Sequence, residues 1–137
     1  MVEGKLVPGD LVINLFKQAM QKRGWATKKF LIDGFPRGQD NIDGWQRIIG
    51  DSVDMPFVLF FNANENTMIE RILERAKTSG RSDDNLESLK KRFDTFNKES
   101  VPIVDMFEKK GKLRRVDALK TIDEVYADVI AAFKGYI

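Results

Sequence analysis

The sequence contains no cysteine and no histidine among its 137 residues. Without cysteine the chain can form neither disulfides nor thiolate metal sites. Without histidine it lacks the proton carrier of Ser-His and Cys-His catalysis and the commonest zinc ligand. No apolar run approaches the roughly 20 residues of a membrane-spanning helix, and the first ten residues have no apolar signal-peptide core. These absences favour an intracellular protein without membrane contact.

Net charge is also close to zero, because 23 basic residues face 21 acidic ones. Bulk charge therefore gives no reason to expect nucleic-acid binding. A hydrophobic fraction of 42% is enough to bury a core, and the length is that of one domain. We therefore expect a single domain over residues 1–137, with the basic run at 109–115 as a solvated helix end and strand edge.

Apolar periodicity predicts an alternation of helices with short buried strands. The helices are expected over 9–23, 39–50, 65–77, 85–110 (broken near Pro102) and after Thr121, and the strands over 30–33, 57–63 and 113–117. The first helix shows an apolar face with Leu11 and Leu15. Such alternation predicts an α/β fold, a three-layer α/β/α sandwich with a parallel sheet. Three strands are fewer than the usual four to six or so, which suggests that part of the sheet is missing.

The segment FLIDGFPR at 30–37 has the pattern of a strand that delivers charged groups to the crevice at its carboxyl end. Asp33 there can orient a magnesium ion through water, and Arg37 on a stiff turn can hold phosphate oxygens in bidentate fashion. Asn41, one helical turn later, can read a base edge. Each also has an ordinary interpretation: a turn residue, a surface arginine and a residue that satisfies a helix start.

Four further arginines follow around a Gly-containing loop. Arg71 and Arg75 share a helix face, Arg81 lies in the loop beside two aspartates, and Arg92 lies on the next helix. Each alone fits a solvated, salt-bridged surface. Together with Arg37 they indicate phosphoryl transfer, in which a protein mostly positions groups and neutralises spread negative charge. Such catalysis needs no histidine base.

The segments EGKLVP, FLIDGFPRGQDN, FVLFF, SGRSDDN and SLKKRF occur in an order and spacing that resemble the nucleoside monophosphate kinases, and among them the UMP-CMP kinase branch. The resemblance extends over essentially the whole chain. It implies a P-loop NTPase fold and transfer of the γ-phosphoryl group of ATP, with Mg²⁺, to UMP, CMP or dCMP. It also implies a cytoplasmic, or also nuclear, protein that is usually monomeric. Asn41 favours pyrimidines over AMP, because adenylate kinases tend to have Gln there.

The resemblance also implies a role for individual residues. Nucleoside monophosphate would be bound by Lys5, Leu6, Val7, Gly34, Phe35, Pro36, Arg37, Asn41, Arg81 and Arg92. ATP would be bound by Arg71, Arg75 and Lys120, and the catalytic arginines would be Arg37, Arg75, Arg81 and Arg92. Residues 74–84 would form a short lid that closes over the phosphates. Asp33 would act on magnesium only through water.

One family feature is absent from the 137 residues: the first strand with its Gly-rich phosphate loop, G-x-x-x-x-G-K-[ST]. The sequence therefore leaves three possibilities open. The chain is a kinase segment with little activity alone, a shortened isoform that binds nucleotide without catalysis, or a subunit of a swapped dimer that fills the gap in the sheet. An ordinary α/β domain with surface arginines is the remaining alternative.

Overall fold

The computed structural model describes residues 6–136, so the predicted contact of Lys5 lies outside the described part. The helices are α1 Gly9–Lys22, α2 Gln39–Ile48, α3 Glu65–Ser79, α4 Leu86–Thr95, α5 Val101–Lys109 and α6 Ile122–Phe133, and the strands are β1 Val58–Asn62 and β2 Leu113–Asp117. A π-helical segment, Phe96–Ser100, joins α4 to α5. We call the whole stretch, residues 86–109, the α4–α5 rod. Its α-helical pattern is interrupted just before Pro102, as the sequence predicted.

The two strands pair in parallel, in register from Val58–Leu113 to Asn62–Asp117. Parallel pairing requires a crossover, and helices α3, α4 and α5 supply it. The α/β fold class expected from the sequence is thereby confirmed. The sheet of the described residues has these two strands alone.

Helices cover both faces of this small sheet. Phe60 stacks on Phe96 of the α4–α5 rod, with ring centroids 6.3 Å apart. The ring of Phe57, directly before β1, packs on that of Phe133 of α6, with ring centroids 5.1 Å apart. Since side chains alternate between the faces of a strand, residues 57 and 60 point in opposite directions. The rod and α6 therefore form the outer layers, with the sheet between them.

The first half of the chain packs as a helical pair beside this sandwich. Ile13 and Met20 of α1 and Ile49 after α2 are buried together. The helices approach closely at Gly44, where an added Cβ would lie 2.8 Å from Ile13 Cδ1. Phe35 closes the cluster by packing on Trp45, with centroids 5.4 Å apart. The loop that carries Phe35 is thus anchored in a core.

Two expectations from the sequence are wrong. Residues 30–33 form no strand, and Leu31 is 83% exposed. A strand exists only where a neighbouring backbone pairs with it, and the β1–β2 pair leaves this segment without such a neighbour. In α1, Leu11 and Leu15 are more than half exposed, because α2 packs on the adjacent face that carries Ile13.

The structure has an unusually large surface for its mass. The accessible area is 9614 Å² for 15.7 kDa, whereas a compact monomer of that mass has about 7300 Å². Part of the excess is apolar, such as Ile122 and Tyr126 on α6. None of the described helices has the length and hydropathy to cross a membrane.

The α1–α2 core gives a direct test of the fold. Ile13 is fully buried, so Ile13→Ala removes packing and leaves a cavity, and we expect it to lower the free energy of unfolding by about 2–5 kcal/mol. Leu15→Ala, on the same helix but 56% exposed, serves as the control and should cost well under about 1 kcal/mol. Urea denaturation followed by circular dichroism measures both. Equal losses would contradict the packing described.

Candidate active site

The turn between α3 and α4 is held at both ends. Helix α3 stops at Gly80, whose φ of 63° lies in the left-handed region that favours glycine. Helix α4 begins after Asn85, whose Oδ1 accepts a hydrogen bond from the backbone N–H of Ser88 at 2.9 Å. The Nδ2 of Asn85 also donates to the carbonyl oxygen of Ser82. Residues 81–84 therefore have a defined path between two helix ends.

Asp84 lies at the centre of this turn, with its side chain fully buried. Arg75 of α3 donates to both carboxylate oxygens, from Nε at 2.9 Å and from Nη2 at 2.6 Å. Ser79 adds a hydroxyl donor at 2.8 Å. The hydrogen bond from Arg75 outweighs burial and, with that from Ser79, lowers the pKa of Asp84 to about 2.

Asp83 binds the second arginine. Arg81 donates to its two oxygens from Nε and Nη2, both at 3.0 Å. This hydrogen bonding lowers the pKa of Asp83. Arg92 of α4 approaches from the other side, with Nη1 3.7 Å from Asp83 Oδ2 and 3.8 Å from Asp84 Oδ1. The structure thus brings together three of the predicted arginines around two carboxylates; we call this group the Arg–Asp cluster (Arg75, Arg81, Arg92, Asp83 and Asp84).

One hydrogen-bond donor of the Arg–Asp cluster has no acceptor among the described residues. Nη1 of Arg92 is buried and has no hydrogen-bond acceptor among residues 6–136. A buried donor without an acceptor costs free energy. Three guanidinium groups against two carboxylates also leave one positive charge uncompensated. An additional anionic oxygen at Arg92 would correct both deficits.

The second group of predicted residues forms the loop at 33–37. Its Phe35–Pro36 peptide bond is cis, and Gly34 has a φ of 66°. Arg37 folds back on this loop, with Nε donating to the carbonyl oxygen of Gly34 at 2.5 Å. The backbone N–H of Arg37 donates to Oδ1 of Asn41 at 2.9 Å. Asn41 thus secures the loop, and its Nδ2 is the part of the amide left for another partner.

The loop and the Arg–Asp cluster are attached to the same helical rod. Ser100 donates from its hydroxyl to the carbonyl oxygen of Arg37 at 2.5 Å. Ser100 follows Arg92 by eight residues, which corresponds to about 12 Å of helix rise. Within the described residues, no hydrogen bond or ion pair links the Arg37 side chain to the cluster. Among the described residues, the five predicted arginines are thus not joined in a single hydrogen-bonded group.

The other predicted residues lie around these two groups. Leu6 and Val7 are half-buried. Leu6 lies near the start of α2, since a Cβ on Gly38 would be 3.2 Å from Leu6 Cδ1. Arg71 is exposed on α3, one turn before Arg75. Leu6 therefore lies close to the end of the 33–37 loop, and Arg71 lies on the helix that supplies Arg75.

Two predicted residues lie apart from the Arg–Asp cluster. Lys120, after β2, forms an ion pair with Asp128 of α6 at 2.7 Å, and the hydrogen bond in this pair raises its pKa. Asp33 is exposed on its turn. Across residues 6–136 there is no group of three or more acidic side chains placed to hold a metal ion. A contact of Asp33 with magnesium through water, as predicted, needs no such group.

Sequence reasoning passed over the residues that organise the site. Ser79, Asp83 and Asp84 lie within the SGRSDDN segment, but the resemblance assigned a role only to its arginine, Arg81. Their signal was the pair of adjacent acids between a helix-ending Gly80 and a helix-starting Asn85. Carboxylates fixed in such a turn can orient arginines from both flanking helices.

Comparison with known proteins agrees with these features. The family model described as adenylate kinase matches residues 1–112. The UMP-CMP kinases of Mus musculus and Homo sapiens are each 48% identical over 134 residues, which is 96% of this chain and 68% of theirs. The UMP-CMP kinase of Xenopus laevis is 52% identical over 130 residues, 93% of this chain and 67% of its own. The resemblance read from the motifs is confirmed, and the chain belongs to the adenylate kinase family of nucleoside monophosphate kinases.

Proposed function

We propose that this chain carries the nucleoside monophosphate site and lid of a kinase that transfers the γ-phosphoryl group of ATP to UMP, CMP or dCMP. UMP and CMP are the substrates in the names of its relatives, the UMP-CMP kinases, and dCMP follows from the resemblance to that branch. The observation that carries the proposal is the assembly of Arg75, Arg81 and Arg92 around one fixed turn. AMP is the second choice of acceptor.

The Arg–Asp cluster has the properties that phosphoryl transfer requires. Negative charge in the transition state is spread over the oxygens of the transferring group, and fixed cations stabilise it. Arg75 is held rigidly by Asp84, so it enters the reaction already oriented. Arg81 and Arg92 would offer donors to the acceptor phosphate and to the transferring group.

The loop at 33–37 supplies the acceptor side of the proposed site. Gly34, Phe35, Pro36 and Arg37 would border the monophosphate, with Leu6 and Val7 beside them. Arg37 is exposed, and its side chain forms a single hydrogen bond within the loop, to a backbone carbonyl. That bond can be exchanged for a stronger, charge-assisted one to phosphate. Asn41 has its oxygen engaged, so its Nδ2 would donate to an acceptor on the pyrimidine edge.

On the donor side, Arg71 and Lys120 would contact ATP. Magnesium would enter as the Mg–ATP complex, with Asp33 reaching its waters. The 137 residues contain no Gly-rich loop to hold the β- and γ-phosphates. Nucleotide binding without turnover is therefore the second candidate function of this polypeptide, and the assembled Arg–Asp cluster favours it.

Binding of CMP tests the acceptor site. Charge-assisted hydrogen bonds contribute about 1.5–3 kcal/mol, so Arg81→Gln and Arg92→Gln should each weaken CMP binding about tenfold or more. Arg47→Gln is the matched control, because Arg47 is an exposed arginine paired with Asp10 on the α1–α2 unit. Isothermal titration calorimetry measures all three. Unchanged affinity in the Arg92 variant would refute the assignment.

Turnover tests whether the 137 residues catalyse phosphoryl transfer by themselves. The 137-residue polypeptide should release little or no ADP from ATP in the presence of UMP or CMP, because it has no backbone cradle and lysine for the phosphates. A coupled ADP-release assay measures this, with CMP binding to the same preparation as the positive control. Turnover at an ordinary kinase rate of about 1–100 s⁻¹ would rule out the non-catalytic alternative.

The cluster must remain assembled to bind phosphate, and its stability depends on pH. The pKa of Asp84 is about 2 in the fold, below its ordinary 3.8. Its carboxylate therefore stabilises the folded state above about pH 4, and this contribution is lost as the pH falls toward 2. We expect Asp84→Asn to flatten the acid limb of a plot of unfolding free energy against pH from 2 to 6, measured with urea. Parallel curves for variant and wild type would show that Asp84 does not provide this stability.

A further inference from the structure

The two carboxylates of the Arg–Asp cluster differ in how firmly they are held. Asp84 has no exposed side-chain surface and accepts three hydrogen bonds, two from Arg75 and one from Ser79. Asp83 is 12% exposed at its side chain, and its hydrogen-bonding side-chain partner is Arg81, which is itself 53% exposed. Asp84 is thus locked inside the turn, and Asp83 lies at its rim.

Releasing each carboxylate would have very different consequences. If Asp84 left Arg75, a buried charge would lose its partner, which is among the more destabilising events in a protein. If Asp83, whose side chain is 12% exposed, left the 53% exposed Arg81, the pair would separate but the Arg81 guanidinium would stay in contact with water, so the loss is smaller than at Asp84. An incoming anion would therefore replace Asp83 and leave Asp84 in place.

The position of Arg92 indicates where such an anion would bind. Its Nη1 lies 3.7 Å from Asp83 Oδ2, beyond hydrogen-bond distance, and has no acceptor within residues 6–136. An oxygen that takes the place of the Asp83 carboxylate on Arg81 can approach Arg92 more closely than the tethered carboxylate does. The same oxygen would then satisfy both guanidinium groups.

We propose that Asp83 is a displaceable counter-ion, occupying on Arg81 the place that a phosphoryl group of the ligand takes, and that Asp84 is a positioning residue that keeps Arg75 fixed through the exchange. This inference rests on the proposed function for the identity of the ligand. The exchange itself requires only an anion with phosphate chemistry. In the ligand-free chain Asp83 keeps the Arg81 guanidinium ordered at the rim.

Carboxyl ¹³C NMR of the 137-residue chain, titrated with millimolar sodium pyrophosphate, tests the exchange. Pyrophosphate should move the Asp83 resonance and bring its pKa back toward the ordinary value, while Asp84 stays unchanged. A displaced Asp84, an unmoved Asp83, or no binding of pyrophosphate would each overturn the proposal.

Variants give an independent readout. Asp83→Asn should bind pyrophosphate about three- to fivefold more tightly, since the Asp83–Arg81 ion pair, which is half-exposed on the Arg81 side, no longer has to be broken. Asp94→Asn, which removes an exposed partner of Lys98, is the control and should not change the affinity. Weaker or equal binding by the Asp83 variant would contradict its role as a counter-ion.

The role of Asp84 is tested in a preparation shown to be folded by circular dichroism. Asp84→Asn should weaken pyrophosphate binding, and Asp84→Glu should restore part of it, because a carboxylate again orients Arg75. Loss of fold without a change in the affinity of the folded fraction would show a purely structural role.

Repeating the NMR titration with CMP separates this inference from the proposed function. Displacement of Asp83 by pyrophosphate without any binding of CMP would refute the nucleotide assignment and support the exchange. Binding of CMP with Asp83 still on Arg81 would refute the exchange and support the nucleotide assignment.

Discussion

The ion pair between Arg75 and the buried carboxylate of Asp84 is the interaction on which the site depends. A carboxylate without solvent contact must be paired and hydrogen-bonded, and Arg75 and Ser79 of α3 meet that requirement across the Gly80 turn. The end of α3 is thereby fixed to the start of α4. Arg81 and Arg92 take their positions from this junction.

The α4–α5 rod connects that junction to the sheet and to the 33–37 loop. Its buried residues Leu89, Ile103 and Phe107 anchor it in the structure, and Phe96 packs against the sheet. Ser100 then holds the backbone of Arg37. One helical element therefore sets the separation between the arginines proposed for the transferring phosphoryl group and the loop proposed for the acceptor nucleotide.

Local sequence signals predicted much of this architecture. A helix was predicted after Thr121, and the structure starts α6 there with a capping box between Thr121 and Glu124. The strand predicted at 113–117 has those bounds. Such features depend on residues a few positions apart, so the sequence carries them completely.

Features that depend on distant partners could not be predicted in the same way. The apolar run at 30–32 has the composition of a strand, but pairing is decided by a neighbouring backbone that the β1–β2 sheet does not provide. Helix α2 packs on the face of α1 that carries Ile13, so that face is buried and the face with Leu15 is exposed. The buried state of Asp84 likewise follows from the meeting of α3 and α4, which no single motif encodes.

The convergence of Arg81 and Arg92 on a phosphate is tested most directly by an experimentally determined structure of the chain with bound CMP. We expect a phosphate oxygen within hydrogen-bond distance of Arg92 Nη1, the donor that lacks an acceptor in the described residues. A phosphate bound elsewhere, with Arg92 Nη1 still without an acceptor, would contradict the assignment of this site.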